Sequence, residues 1–231
     1  MILMKKFSEK GFSMVEMAIV ITIIGLLMTG IIMGREMIGA ANINKVISDL
    51  RSYQVAYDQF SEKYEGIAGD LSDATTYWPT TNNGTGNSII NEQGVTVDFD
   101  ESYLAWQHLA LAGFIKGVYT GTNNGPDFDP IVPGGNLPAS SYPGSAYDMV
   151  SLIDIDTGAD TNINFILVGR ADVGGGSLTL NVVPESDASD IERKLDSGTE
   201  AEGVVTYTCD AAEPGNRFCM LRYFLNLRPN L

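Results

Sequence analysis

From Met17 to Gly34 the chain carries no Asp, Glu, Lys or Arg, and in the stretch FSMVEMAIVITIIGLLMTGIIMG the one charge is Glu16. Roughly 18 to 20 such residues suffice to cross a bilayer as a helix. Lys5, Lys6 and Lys10 precede the run and predict that its N-terminal side stays cytoplasmic. Past Arg35 the pattern changes. Ile43, Val46, Leu50, Tyr53, Tyr57, Phe60 and Tyr64 recur at steps of three and four, which makes one stripe on a helix. Asp49, Arg51, Asp58, Glu62 and Lys63 fall off that stripe, on the solvated side. The two patterns predict one helix from about Ser13 to about Glu65, apolar all round at first and amphipathic later. At 1.5 Å per residue it is roughly 80 Å long.

Residues 66–100 read as loop, with Trp78-Pro79 and the NNGTGN run from Asn82. The stretch ESYLAWQHLALAGFIK, residues 101–116, predicts a second helix whose stripe includes Leu104, His108, Leu111 and Ile115, with Gly117 as its stop. A Gly/Pro/Asn-rich segment follows. Strand-like runs then fall at about 147–155, 163–170 and 177–183. A short helix is predicted over 187–195. Residues 203–209 and 219–227 read as paired strands around a loop that begins and ends in cysteine.

Composition narrows the function. The formal net charge is −15, and removing residues 1–11, with three lysines and one glutamate, leaves −17. A basic footprint for DNA or an anionic membrane surface is lacking, so no nucleic-acid partner is expected. The two cysteines, Cys209 and Cys219, predict a disulfide in an exported domain. Two free buried thiols are the alternative.

Glu16 is the informative residue. A carboxylate at the mouth of a membrane-length helix costs on the order of 2.5 kcal/mol or more if it stays unpaired in hydrocarbon. A secretory signal is cut after its apolar core, at small residues. Here Arg35 and Glu36 lead straight into more helix. One reading is a signal-anchor that tethers an outer domain, a membrane-attached binding module. The other is cleavage between Gly11 and Phe12, whose new amine would be the partner of Glu16.

Lys10-Gly11, aromatic Phe12 and Glu16, directly before an uninterrupted apolar run, resemble the cleavage and methylation segment of type IV prepilins and type II secretion pseudopilins. KYEGIAGDLSDATTYW, AWQHLALAGFIKGVYTG and ERKLDSG also resemble segments of bacterial prepilin-like proteins. The resemblance implies that a prepilin peptidase cuts after Gly11 and that the Phe12 nitrogen is methylated. Residues 1–11 are then a leader, 12–34 a transmembrane and filament-core helix, 35–65 its amphipathic continuation, and 66–231 the head. The implied fold is α+β, a long N-terminal helix packed on an antiparallel sheet, with loop insertions and a short extra helix. The implied partners are homologous pilin or pseudopilin subunits, the peptidase, an inner-membrane assembly platform and inner-membrane lipid. Glu16 is expected to pair with the terminal amine of a neighbouring subunit during assembly. The precursor is expected in the inner membrane with its head periplasmic, and the product in a periplasmic pseudopilus or an extracellular pilus. Many pilins carry proline where Met33 stands, and this chain departs from that pattern.

Calcium is the one cofactor worth weighing. Asp154, Asp156 and Asp160 alternate before and after a glycine turn, and Asp127 with Asp129 makes a second pair. Hard oxygen ligands at such spacing suit Ca²⁺. Some pseudopilins bind calcium through C-terminal loops, but the distal glutamate of an EF-hand is missing, and acidic turns are the simpler account. Catalysis has little support. His108, the one histidine, lies on an apolar stripe and reads as a satisfied core residue. Gly174 to Gly176 lack a phosphate-loop lysine and read as a hairpin turn. The chain is expected not to be an enzyme.

Overall fold

The computed structural model describes residues 12–90, 101–122, 131–153, 160–171, 178–196, 203–210 and 217–225. The chain divides into two compact units, Met1–Ala41 and Asn42–Leu231. Helix α1, Met14–Tyr64, contributes to both.

In the first unit α1 is long and apolar enough to cross a membrane, by length and composition. Its large apolar side chains from Met14 to Ile38 are exposed. The two threonines inside the run close their hydroxyls onto the helix itself, Thr22 Oγ1 donating to Ala18 O at 2.8 Å and Thr29 Oγ1 to Gly25 O at 3.0 Å. Neither leaves an unpaired polar group to be desolvated. Gly25, Gly30, Gly34 and Gly39 each have open space where a Cβ would stand. No contact among the described residues requires them, though each costs about 1 kcal/mol of helix propensity relative to alanine.

In the second unit the stripe predicted from three-and-four spacing faces inward. Ile43, Val46, Leu50, Ala56, Tyr57 and Phe60 are buried. They meet an antiparallel sheet of β1 (Ala146–Ile153), β2 (Asp160–Ala171), β3 (Leu178–Leu180), β4 (Val183–Pro184), β5 (Val205–Cys209) and β6 (Phe218–Phe224). The order is β1-β2-β6-β4, with β3 also on β2 and β5 also on β6. The register pairs Tyr147 with Val168, Met149 with Ile166, Ile166 with Tyr223 and Val168 with Leu221. With period-two alternation these apolar residues share one face. That face meets α1: Asn164 Nδ2 donates to Tyr57 Oη at 3.1 Å, and Tyr53 stands edge-on to Tyr147 at 5.2 Å. Strand β1 is an edge, and it is covered. Tyr147 N donates to Pro138 O and Ser151 N to Ile90 O, which removes donors that would invite a foreign strand.

Segment 66–90 is ordered by close packing rather than by regular structure, apart from a single turn, α2 (Ala74–Tyr77). Gly69 has φ +93°, and a Cβ there would lie 2.3 Å from Glu101 O. At Gly84 it would lie 2.3 Å from the Asp70 Cα. Only glycine allows these approaches.

Helix α3 runs Glu101–Leu111 and ends sooner than the spacing predicts. Gly113, at φ +80°, takes the left-handed conformation. Gly113 N donates to Ala110 O and Phe114 N to Leu109 O, the pair of bonds that closes a helix in a Schellman motif. The stop is therefore Gly113 and not Gly117, and Ile115 lies beyond the helix. Helix α4, Glu185–Leu195, follows β4. It docks by Tyr142 Oη donating to Asp187 Oδ2 at 3.0 Å and Lys194 Nζ to Asn44 Oδ1 at 3.3 Å. Burial, with Asp187 beside it, raises the Tyr142 phenol above its ordinary value and keeps it a donor.

Candidate functional site

At the N-terminus Phe12 is 82% exposed. Phe12 and Ser13 are non-helical and the helix begins at Met14. Gly11 lies outside the described residues. Ser13 caps α1: the Glu16 N–H donates to Ser13 Oγ at 3.2 Å, and the Ser13 N–H donates to Glu16 Oε2 at 2.8 Å. This reciprocal arrangement is a capping box, which satisfies two orphan donors of the first turn. The carboxylate also sits where the helix dipole favours negative charge.

From its charge alone, Glu16 is expected to await an amine. Within the single chain it already has a donor, the backbone of Ser13. The pattern Ser-x-x-Glu before an apolar run signals this locally, and Ser13 is the residue that reasoning from charge alone passes over. Pairing with an amine then means that Glu16 adds or exchanges a partner, starting from a bonded state.

At the other end of the chain Cys209 and Cys219 are joined, with Cα atoms 4.0 Å apart. They are direct cross-strand partners in β5 and β6. Cys219 also pairs with Val183 of β4, so the bond fixes the register where three strands meet.

Among the described residues no group of three or more His, Cys, Asp or Glu side chains could hold a metal ion. Asp154, Asp156, Asp127 and Asp129 lie outside the described residues, as do Gly174 to Gly176. Asp160 opens β2, and its side chain is likewise outside the description.

Two buried titratable groups of the head, His108 and Asp70, are engaged with the chain itself. His108 of α3 is 0% exposed, and burial pushes it down from its ordinary value to about 4. The Gly69 N–H donates to its Nδ1 at 3.0 Å, which places the ring proton on Nε2, 3.1 Å from Thr81 Oγ1 and 3.2 Å from Asn82 O. Both nitrogens are occupied, so neither serves as a general base. Asp70, 3% exposed, accepts from the N–H groups of Gly86 at 2.6 Å, Asn87 at 3.1 Å and Ser88 at 2.6 Å, and from Thr85 Oγ1 at 3.0 Å.

Residues 6–32 match the family model described as the prokaryotic N-terminal methylation motif, the signature of type IV prepilins and pseudopilins. The match begins among the lysines ahead of the apolar run and ends inside that run, so it covers Gly11, Phe12, Ser13 and Glu16. No curated protein and no solved structure matches the chain.

Proposed function

We propose that this chain, a precursor bearing the prepilin signature, is a pilin-like structural subunit of a bacterial envelope filament. A prepilin peptidase cuts between Gly11 and Phe12, and the Phe12 nitrogen is methylated. The subunit then polymerises through the first half of α1. The observation that carries this reading is the coincidence of the matched segment with a helix whose apolar side chains are exposed. Exposed apolar surface must be covered, by lipid before assembly and by other helices after it. The transfer of apolar area is worth about 25 cal/mol per Å² and is indifferent to which apolar partner supplies it.

Direction comes from charge. The amine at Phe12 of one subunit and the Glu16 carboxylate of another form an ion pair away from water. Breaking one side of such a pair costs about 3 to 5 kcal/mol, which favours docking in a single register. The precursor resides in the inner membrane with its head in the periplasm. The head is a structural module, in which His108 and Asp70 hold the loop of residues 66–88.

Mass analysis of the N-terminus of protein taken from its native host tests the proposal. Methylated Phe12 as the first residue supports it. A chain that still begins at Met1 sinks it, because the Phe12 nitrogen is then an amide and offers no free amine to Glu16.

A further inference from the structure

The apolar surface of α1 does not stop where its uncharged run ends. Beyond Gly34 it continues through Met37, 74% exposed, and Ile38, 63% exposed. Arg35 and Glu36, both exposed, therefore stand inside that surface rather than at its border. They are the only charged residues from Met17 to Asn44.

Neither finds a counter-charge on its own helix. Neighbours in sequence point about 100° apart round a helix, so Arg35 and Glu36 do not face each other. The positions three and four residues away are Ile31, Ile32, Met33, Ile38, Gly39 and Ala40, none of them charged. Lys45 and Asp49 show the contrast: four apart on the same helix, they close to 2.7 Å. Among the described residues neither Arg35 nor Glu36 forms an ion pair.

Covering the apolar side chains on both sides of these charges takes the charges out of water too, and a charge so removed requires a partner. In an assembly of identical copies the choice is short. Glu16 lies roughly 28 Å from Arg35 along the axis, at 1.5 Å per residue. Lys45 lies roughly 14 Å from Glu36, and Asp49 already holds it. The opposite charge left at the same depth belongs to another copy. We infer that Arg35 of one subunit pairs with Glu36 of the next, in a contact that repeats from copy to copy. This rests on the reading of the chain as a filament subunit and adds a second interlock to it.

The geometry suits such a contact. Round the helix Glu36 lies about 200° from Glu16, so the two carboxylates address different neighbours. An amine meets the first and a guanidinium the second. The contact is heterologous, Arg side to Glu side, and each added copy brings one unused side of either kind. Such a contact builds an open filament when its rotation does not close. Helices packed side by side have axes about 8 to 10 Å apart, a gap that extended Arg and Glu side chains span together. The planar guanidinium can meet the carboxylate through two parallel bonds.

Charge reversal in the native host is the test, read as filament protein in sheared cell-surface preparations. Yield is taken per processed subunit in the membrane, so that a loss of insertion or cleavage does not count. Arg35→Glu and Glu36→Arg each set like charges against one another at every contact, and the yield should fall by on the order of tenfold or more. Combining Arg35→Glu with Glu36→Arg restores opposite charges with the sides exchanged, and the yield should recover. Normal filaments from either single variant overturn the inference, and so does a double variant no better than the singles. A parent without filaments strikes the subunit reading itself, and this pairing with it.

Discussion

Ser13 and Glu16 bond to each other twice, backbone to side chain in both directions, at 2.8 and 3.2 Å. The pair fixes where α1 starts, at Met14, two residues past Phe12. It also means that the one charge in the first half of the apolar helix is never without a donor.

Ser13→Ala should loosen the first turn by about 1 kcal/mol. Amide exchange at Glu16 and Met17 in micelles would show it, with the rest of α1 unchanged. Glu16→Ala removes the other half of the box and the charge. It is expected to leave membrane insertion intact while filaments disappear from sheared cell-surface preparations. Normal filaments from that variant would remove Glu16 from assembly.

The head should lose stability as the pH falls from 6.5 toward 4. His108 has a lower proton affinity folded than unfolded, so its contribution is fully present above 6.5 and fades below it. The loss approaches about 3 kcal/mol at the acid end. Urea unfolding at pH 7 and pH 4 measures it, and His108→Asn should flatten the difference between the two.

Asp70→Ala removes the side-chain acceptor of the Asn87 and Ser88 N–H groups and of the Thr85 hydroxyl, while the Gly86 N–H keeps the Asp70 backbone carbonyl. A cost on the order of 1 to 2 kcal/mol is expected, since these donors lie on exposed residues where water partly replaces the lost acceptor. Asp70→Asn retains one acceptor oxygen and should cost less. Equal stability of Asp70→Ala and the parent in denaturant titration would show that the carboxylate does not hold the loop.

Reducing the Cys209–Cys219 bond, or replacing both residues by serine, should cost roughly 3 kcal/mol by the chain-entropy account of a loop of about ten residues. Because the pair sets register, protection at Met220 and Leu221 should fall before that at Ile166. Unfolding with and without reductant gives the first number, and exchange gives the order.

The parts of the fold legible in the sequence are those written in local periodicity. The stripe from Ile43 to Tyr64 faces the sheet, and the strands flanking the cysteines are paired as their spacing suggests. What stayed hidden depends on distant partners. The NNGTGN run reads as a plain loop because nothing local reveals that Asp70, some fifteen residues earlier, collects its amides. The end of α3 offers two glycines, and only the backbone decides between Gly113 and Gly117. The one-turn helix at Ala74 is too short to have a period. Ser13 is a different case: the Ser-x-x-Glu spacing that marks it as a cap is local, and the charge of Glu16 points instead to a partner outside the helix.

Thr22 and Thr29 keep their hydroxyls bonded along their own helix whatever surrounds them. Moving this segment from one oily neighbourhood to another therefore leaves its hydrogen-bond inventory untouched. Only dispersion contacts and the fate of a single carboxylate distinguish the two surroundings, which makes the exchange close to balanced and easy to reverse.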